Sequence, residues 1–107
     1  MKADTCITRL KALADETRWR IVQVLLVGPG TVGELAETLE ISPYNASKHV
    51  RILREAGIVA TEKQGKTVEC RVAGEFRKKL SNKETALDLG CCTFRFDHAK
   101  QVQKRTF

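Results

Sequence analysis

Two cysteines stand side by side at Cys91 and Cys92, and two more, Cys6 and Cys70, lie far from them in the chain. Adjacent thiols can both hold one soft, pyramidal centre such as trivalent arsenic or antimony. Two short links close a small chelate ring, and thiolates prefer soft ions. A hard cation would gain little from two sulfurs. A three-coordinate centre needs a third sulfur, which Cys6 or Cys70 would have to supply. Two other readings of the pair stay open. Paired thiols near a cationic group such as Arg95 can be oxidised or persulfidated, which would make them a redox sensor. Alternatively, Cys92 packs with Phe94 and Phe96 as a small apolar residue.

A second group of chemistry-bearing residues lies in ISPYNASKHVRILREAGIV, residues 41–59. Ser42 can cap a helix whose first position is Pro43, where the missing N–H costs nothing. Ala46, Val50 and Leu53 recur at helical spacing and make one narrow apolar stripe. Asn45, Ser47, Lys48, His49, Arg51 and Arg54 fall on the remaining faces, and Gly57 ends the run. A wide face of donors with few carboxylates suits the major groove of DNA, which offers phosphates and base-edge acceptors. His49 reads as a donor facing that partner rather than a metal ligand, since no carboxylate or thiol stands four residues either side of it. His98 reads as a solvated residue.

The charge supports this reading. The chain has 107 residues and a formal net charge of +6. Residues 1–41 carry 5 basic and 6 acidic groups, whereas residues 42–71 carry 6 and 3, and residues 72–107 carry 8 and 4. The positive excess therefore begins at the donor-rich helix, as in a polyanion binder with a neutral packing half. Hydrophobic residues make up 42%, enough for the core of one domain over 1–107, although so small a domain gains from dimerising. No run approaches the roughly 18 apolar residues that span a bilayer, and the charged start, MKADTCITRLKALADE, has no signal-peptide core. The chain is expected in the cytosol, with no membrane partner and with its cysteines as thiols rather than a disulfide framework. It has no phosphate-cradling Gly loop, no paired catalytic carboxylates and no His-Cys-Asp grouping, so an enzyme is not expected.

The elements that must position these residues follow in order. Residues 5–13 read as a helix with Ile7, Leu10, Leu13 and Ala14 on one side. Asp15 offers an N-cap for a second helix to Val27, with Ile21, Val22, Leu25 and Leu26 buried and Trp19 covering the edge. Gly28-Pro29-Gly30 breaks the chain. Thr31 and Glu34 form a capping box for a third helix whose inward residues are Val32, Leu35, Ala36 and Leu39. Only Glu40 and Ile41 then separate it from Ser42, which is helix-turn-helix spacing. Residues 59–63 and 67–72 read as strands joined at Gln64-Gly65-Lys66, a basic hairpin or wing that can reach phosphates through Lys63, Gln64 and Lys66. Residues 74–83 are expected to form a short helix anchored by Phe76 and Leu80. Residues 92–97 alternate as a short extended segment, and 98–107 read as a disordered tail.

In these motifs the chain resembles the ArsR/SmtB family of bacterial winged-helix repressors. The likeness runs over about residues 5–73. It rests on LKALADETR at 10–18 followed by Arg20-Ile21, TVGELA at 31–36, Ile41-Ser42 through ASKH at 46–49, and LREAGIV at 53–59. It implies a homodimer that binds double-stranded operator DNA and lets go when an effector binds. It also implies that Ser47, Lys48 and His49 read the DNA, with Ser42, Tyr44, Asn45 and Arg51 close by. The family often has Pro where Glu16 stands, and commonly Gln-Pro where Pro43-Tyr44 stands, so no base preference carries over. Its Cys-x-Cys metal site in the third helix has no counterpart in TVGELAE, residues 31–37, and its zinc site in the last helix has no clear match. Cys91 and Cys92 remain as the sensing candidates. Since the family pairs through its first and last helices, Cys6 of the partner subunit is the expected third donor, with Cys70 second.

The resulting expectation is a mainly α (α+β) winged helix-turn-helix. It has four helices, a β-hairpin wing, a short C-terminal helix, and a sensor or tail segment over 84–107. No cofactor is required, and trivalent arsenic or antimony is the candidate effector. The alternatives are a thiol-redox or persulfide-responsive repressor and a winged-helix protein-interaction module without a small effector.

Overall fold

A computed structural model describes residues 3–81 and 84–97. Four helices come first, α1 (Ala3–Leu13), α2 (Glu16–Val27), α3 (Val32–Leu39) and α4 (Pro43–Glu55), with the short strand β1 (Gly30–Thr31) between α2 and α3. Five strands follow, β2 (Val59–Gln64), β3 (Thr67–Val72), β4 (Arg77–Lys79), β5 (Glu84–Asp88) and β6 (Thr93–Asp97). They form two antiparallel three-stranded sheets, in the orders β1-β3-β2 and β4-β5-β6.

The helix starts are set by local chemistry. Asp15 caps α2 by accepting from the Arg18 N–H at 3.0 Å. At α3, Thr31 Oγ1 accepts from the Glu34 N–H at 3.1 Å, and Glu34 Oε1 accepts from the Thr31 N–H at 2.8 Å, so two orphan donors are satisfied reciprocally. Ser42 Oγ accepts from the Asn45 N–H at 3.1 Å and opens α4. The stops are equally local. Gly57, at φ +83°, ends α4 in a Schellman turn, with the Ile58 N–H donating to Leu53 O and the Gly57 N–H to Arg54 O. The same pair of bonds ends α3, from the Ile41 N–H to Ala36 O and from the Glu40 N–H to Glu37 O. There the left-handed residue is Glu40, at φ +58°. This tight reversal sets the angle between α3 and α4.

The wing is the β2–β3 hairpin, in register from Val59 opposite Val72 to Gln64 opposite Thr67. A two-residue turn joins the strands, with Gly65 at φ +63° in its first central position, as a type II′ turn requires. The one core runs from α1 and α2 through α3, α4 and both sheets, and includes Ile21, Leu25, Leu53, Ile58, Cys70, Leu87 and Phe96.

Two expectations need correction. Residues 74–81 form no helix. They make a turn at 74–76, then β4, which pairs with β5 from Arg77 opposite Leu87 to Lys79 opposite Thr85. Phe76 is buried as an anchor, but Leu80 is exposed. The extended segment expected over 92–97 is present as β6, Thr93–Asp97, paired with β5 in the second sheet. On α1, Cys6, Ala12 and Leu13 face the core, while Ile7 and Leu10 are 51% and 38% exposed. The expected tail at 98–107, with His98, lies outside the described residues.

The second sheet docks on the helices through specific contacts. The Arg77 guanidinium donates twice to Leu26 O, at 3.2 and 3.1 Å. Trp19 of α2 meets Phe94 edge-on, with ring centroids 5.4 Å apart, and Phe96 at 4.9 Å. Arg9 of α1 lies 4.5 Å over the Phe76 ring and donates to Leu89 O at 3.5 Å.

Candidate nucleic-acid interface and thiol cluster

Helix α4 buries Ala46, Val50 and Leu53 and turns its donors outward. Tyr44, Asn45, Ser47, Lys48 and Arg51 are exposed, as are Lys63, Gln64 and Lys66 on the wing. Ser42 is exposed too, with its hydroxyl oxygen engaged as the cap. Arg51 shares Glu55 of its own helix at 3.3 Å, a solvated pair that exchanges readily for another anion. Lys48, Lys63 and Lys66 make no ion pair with any described residue. The face can therefore offer hydroxyl, amide and cationic donors to phosphates and base edges.

His49 differs from the expected donor. Its side chain is only 20% exposed and turned toward α2, with Nδ1 3.1 Å from Arg18 Nη1 and 3.9 Å from Asp15 Oδ2. Arg18 also donates from Nε to Ala12 O at 2.6 Å. Asp15 is held below the usual carboxylate range, chiefly by the Arg18 backbone N–H and, against the cost of burial, by the charge of Arg18. These residues tie the end of α1, the start of α2 and the middle of α4 together. Nothing in the sequence marked Arg18 for this role except its place three residues after a capping Asp.

The cysteines expected to form a site converge on the far side of α1. Cys6 of α1 is bonded to Cys91, in the turn between β5 and β6, and Cys92 Sγ lies 3.8 Å from Cys91 Sγ. The three sulfurs all lie within 4.8 Å of one another. This chain's own Cys6 meets the pair, where the resemblance implied Cys6 of the partner subunit. The paired thiol framework set aside from composition is thus present as one bridge, 85 residues apart in the chain, a closeness no local pattern could show. Cys6 is buried, Cys91 exposed and Cys92 half-buried. The turn that presents them is shaped by Gly90, at φ +91°, and by its N–H donating to Asp88 Oδ1 at 2.8 Å. Asp88 is held low first by Lys78, at 2.8 Å, and then by that N–H. Cys70 is not part of the group. It is fully buried in β3, and burial pushes its thiol up. Cys92 also packs against the core beside Phe94, so the packing reading of Cys92 and the chemical one coexist.

Three sulfurs bound to one ion at the roughly 2.3 Å of a zinc–thiolate bond can be at most about 4.6 Å apart. The observed spread slightly exceeds that limit, so the reduced thiols would have to turn inward to share one ion. Among the described residues, no fourth Cys, His, Asp or Glu joins the group. A three-coordinate, pyramidal centre suits it better than a tetrahedral one.

Comparison with known proteins agrees with the first half of the chain. A family model described as a helix-turn-helix domain matches residues 13–62. The transcriptional activator HlyU of Vibrio cholerae is 42% identical over 62 residues, which are 58% of this chain and 57% of that protein. The arsenical resistance operon repressor of Escherichia coli is 41% identical over 68 residues, 63% of this chain and 58% of that protein. The chain thus spans well under two thirds of the length of either. The solved structure of Vibrio cholerae HlyU superimposes with a TM-score of 0.64 at 36% identity, over 70% of this chain and 85% of that one. Mb0332 of Mycobacterium bovis, a homodimeric winged helix-turn-helix DNA-binding domain, does so at 0.64 with 29% identity over 67% of each chain. With the caps, the α3–α4 reversal and the wing all in place, the chain belongs to the ArsR family of winged helix-turn-helix transcriptional regulators.

Proposed function

We propose that this protein is a homodimeric repressor that grips operator DNA with α4 and the wing and lets go when trivalent arsenic or antimony is captured by Cys6, Cys91 and Cys92. The observation that carries this reading is the meeting of three sulfurs where the buried Cys6 of α1 faces the exposed β5–β6 turn. Lys48, Lys63 and Lys66 supply salt-dependent attraction to phosphates, and Ser47, Asn45 and Tyr44 lie beside them for base contacts. A second copy is favoured by Ile7 and Leu10, which leave an apolar stripe of α1 in water. A metalloid held between α1 and the β5–β6 turn would alter how α1 sits, and with it the spacing of two recognition helices that must meet half-sites about one helical turn apart.

The test is a gel shift with the chain's own promoter region, titrated with arsenite under reducing conditions and repeated with Cys91→Ser. The expected result is release of the intact protein and continued binding by the variant. Failure of arsenite to release the intact protein overturns the effector assignment.

A specific observation favours a second reading. The Cys6–Cys91 bond makes thiol oxidation a candidate signal in its own right. Peroxide in place of arsenite, in the same gel shift, separates the two.

A further inference from the structure

We infer that Cys6, Cys91 and Cys92 form one clasp that two different chemistries can close, and that Cys92 alone decides between them. The inference rests on the thiol reading above but concerns the chemistry of the sulfurs, not the fate of the DNA.

The two closures join the same elements. In the oxidised form, Cys6 of α1 is bonded to Cys91 of the β5–β6 turn, and Cys92 stays a free, half-buried thiol 3.8 Å away. A hydroperoxide supplies the oxidation. One thiol is oxidised to a sulfenic acid as the O–O bond breaks. The second thiol attacks that sulfur and expels water, so two thiols and one hydrogen peroxide become one disulfide and two waters. Capture of arsenous acid involves no electron transfer. Three S–As bonds replace three As–O bonds, and the three thiol protons leave with the hydroxyls as three waters. This closure needs all three sulfurs, which the structure holds within 4.8 Å.

Three consequences follow. The closures exclude each other, because the disulfide consumes two of the three donors. Each closure ties α1 to the same turn, so the rest of the molecule receives a similar mechanical constraint from either. Cys92 is needed for the metalloid and dispensable for the disulfide, so it makes the clasp selective. Cys70 takes part in neither, being fully enclosed in β3.

The test uses the full-length protein without DNA, so that its outcome is separate from the operator reading. The readouts are the sulfur-to-arsenic absorption in the near ultraviolet, a thiol count in denaturant, and peptide mapping of disulfides. Reduced protein should develop the absorption with one arsenite per chain. Protein first treated with hydrogen peroxide should lose two thiols, map to Cys6–Cys91 and show no absorption until reduced. Cys92→Ser, and Cys92→Ala as a second variant of smaller volume, should form the same disulfide and lose the absorption. Wild-type arsenite binding by both variants overturns the inference. So does arsenite binding by the oxidised protein, or a peroxide product that maps to Cys91–Cys92.

Discussion

Arg18 Nη1 of α2 lies 3.1 Å from His49 Nδ1 of α4. A guanidinium can only donate, so Nδ1 is the acceptor and His49 in this pairing carries its proton on Nε2. The same guanidinium donates to Ala12 O at the end of α1. Arg18 thus buttresses His49, and with it the middle of α4, against α1 and α2. Arg18→Met and His49→Ala should each weaken operator binding by about 1 kcal/mol, the net value of one such hydrogen bond. The double variant should lose much less than the sum. Fluorescence anisotropy on a labelled operator checks this, and full additivity would separate the two residues.

Asp15 sets a pH dependence. Its folded carboxyl titrates below the ordinary value of 3.8, first because it accepts the Arg18 backbone N–H. A depressed carboxylate stabilises the fold above its unfolded pKa and loses that contribution as pH falls through the folded value. Asp15→Asn keeps a competent cap but removes the charge. The stability gap between wild type and Asp15→Asn should be constant near neutrality and shrink below about pH 4. Urea unfolding at a series of pH values measures it.

Base and phosphate contacts should separate by their salt response. Ser47→Ala is expected to cost roughly 1–3 kcal/mol on the preferred operator and little on scrambled DNA. Lys66→Ala at the wing tip should weaken both alike and reduce the slope of log K against log salt by about 1.

The exposed stripe of α1 predicts how the protein assembles. Leu10→Glu leaves the core residues Cys6, Ala12 and Leu13 untouched and puts a carboxylate on the apolar face. Sedimentation should show a monomer with unchanged helical content, and operator affinity should fall, since one half-site per molecule remains.

Phe96 anchors the second sheet, 3% exposed and 4.9 Å from the Trp19 ring. Phe96→Ala should cost about 3–4 kcal/mol, in the range for emptying a buried aromatic site. Trp19 emission should shift to the red as water reaches the indole, while the α3–α4 reversal remains.

What could be read ahead of the structure was whatever a few neighbouring residues decide. Asp15, Thr31 and Ser42 reach only three residues along the chain, and Gly57 and Gly65 answer a backbone demand at one position. These signals placed α2, α3, α4 and the wing. The missed features depend on distant partners. Strand β1 is two residues long and exists because Gly30 and Thr31 face Cys70 and Glu69. Strand β4 exposes Arg77, Lys78 and Lys79 alike, so it has no alternating pattern, and Phe76 and Leu80 four residues apart imitate a helix. On α1, Ile7 and Leu10 outrank Cys6 in hydropathy, yet the face that turns inward is chosen by what awaits it, the Phe76 ring and the Leu89 carbonyl that receive Arg9. The donor-rich face of α4 was legible because it needed only a helical period. The inward turn of His49 was not, since it depends on a guanidinium 31 residues away.

The enclosure of Cys70 within β3 has a practical outcome. Only thiolates attack alkylating reagents at useful rates, and this thiol is both walled in and pushed toward its protonated form. In the native protein a brief pulse of iodoacetamide should pass it by, and in denaturant it should react at once. Each molecule therefore carries a built-in reporter of its own integrity, one sulfur whose silence certifies that labelling elsewhere was read from intact protein.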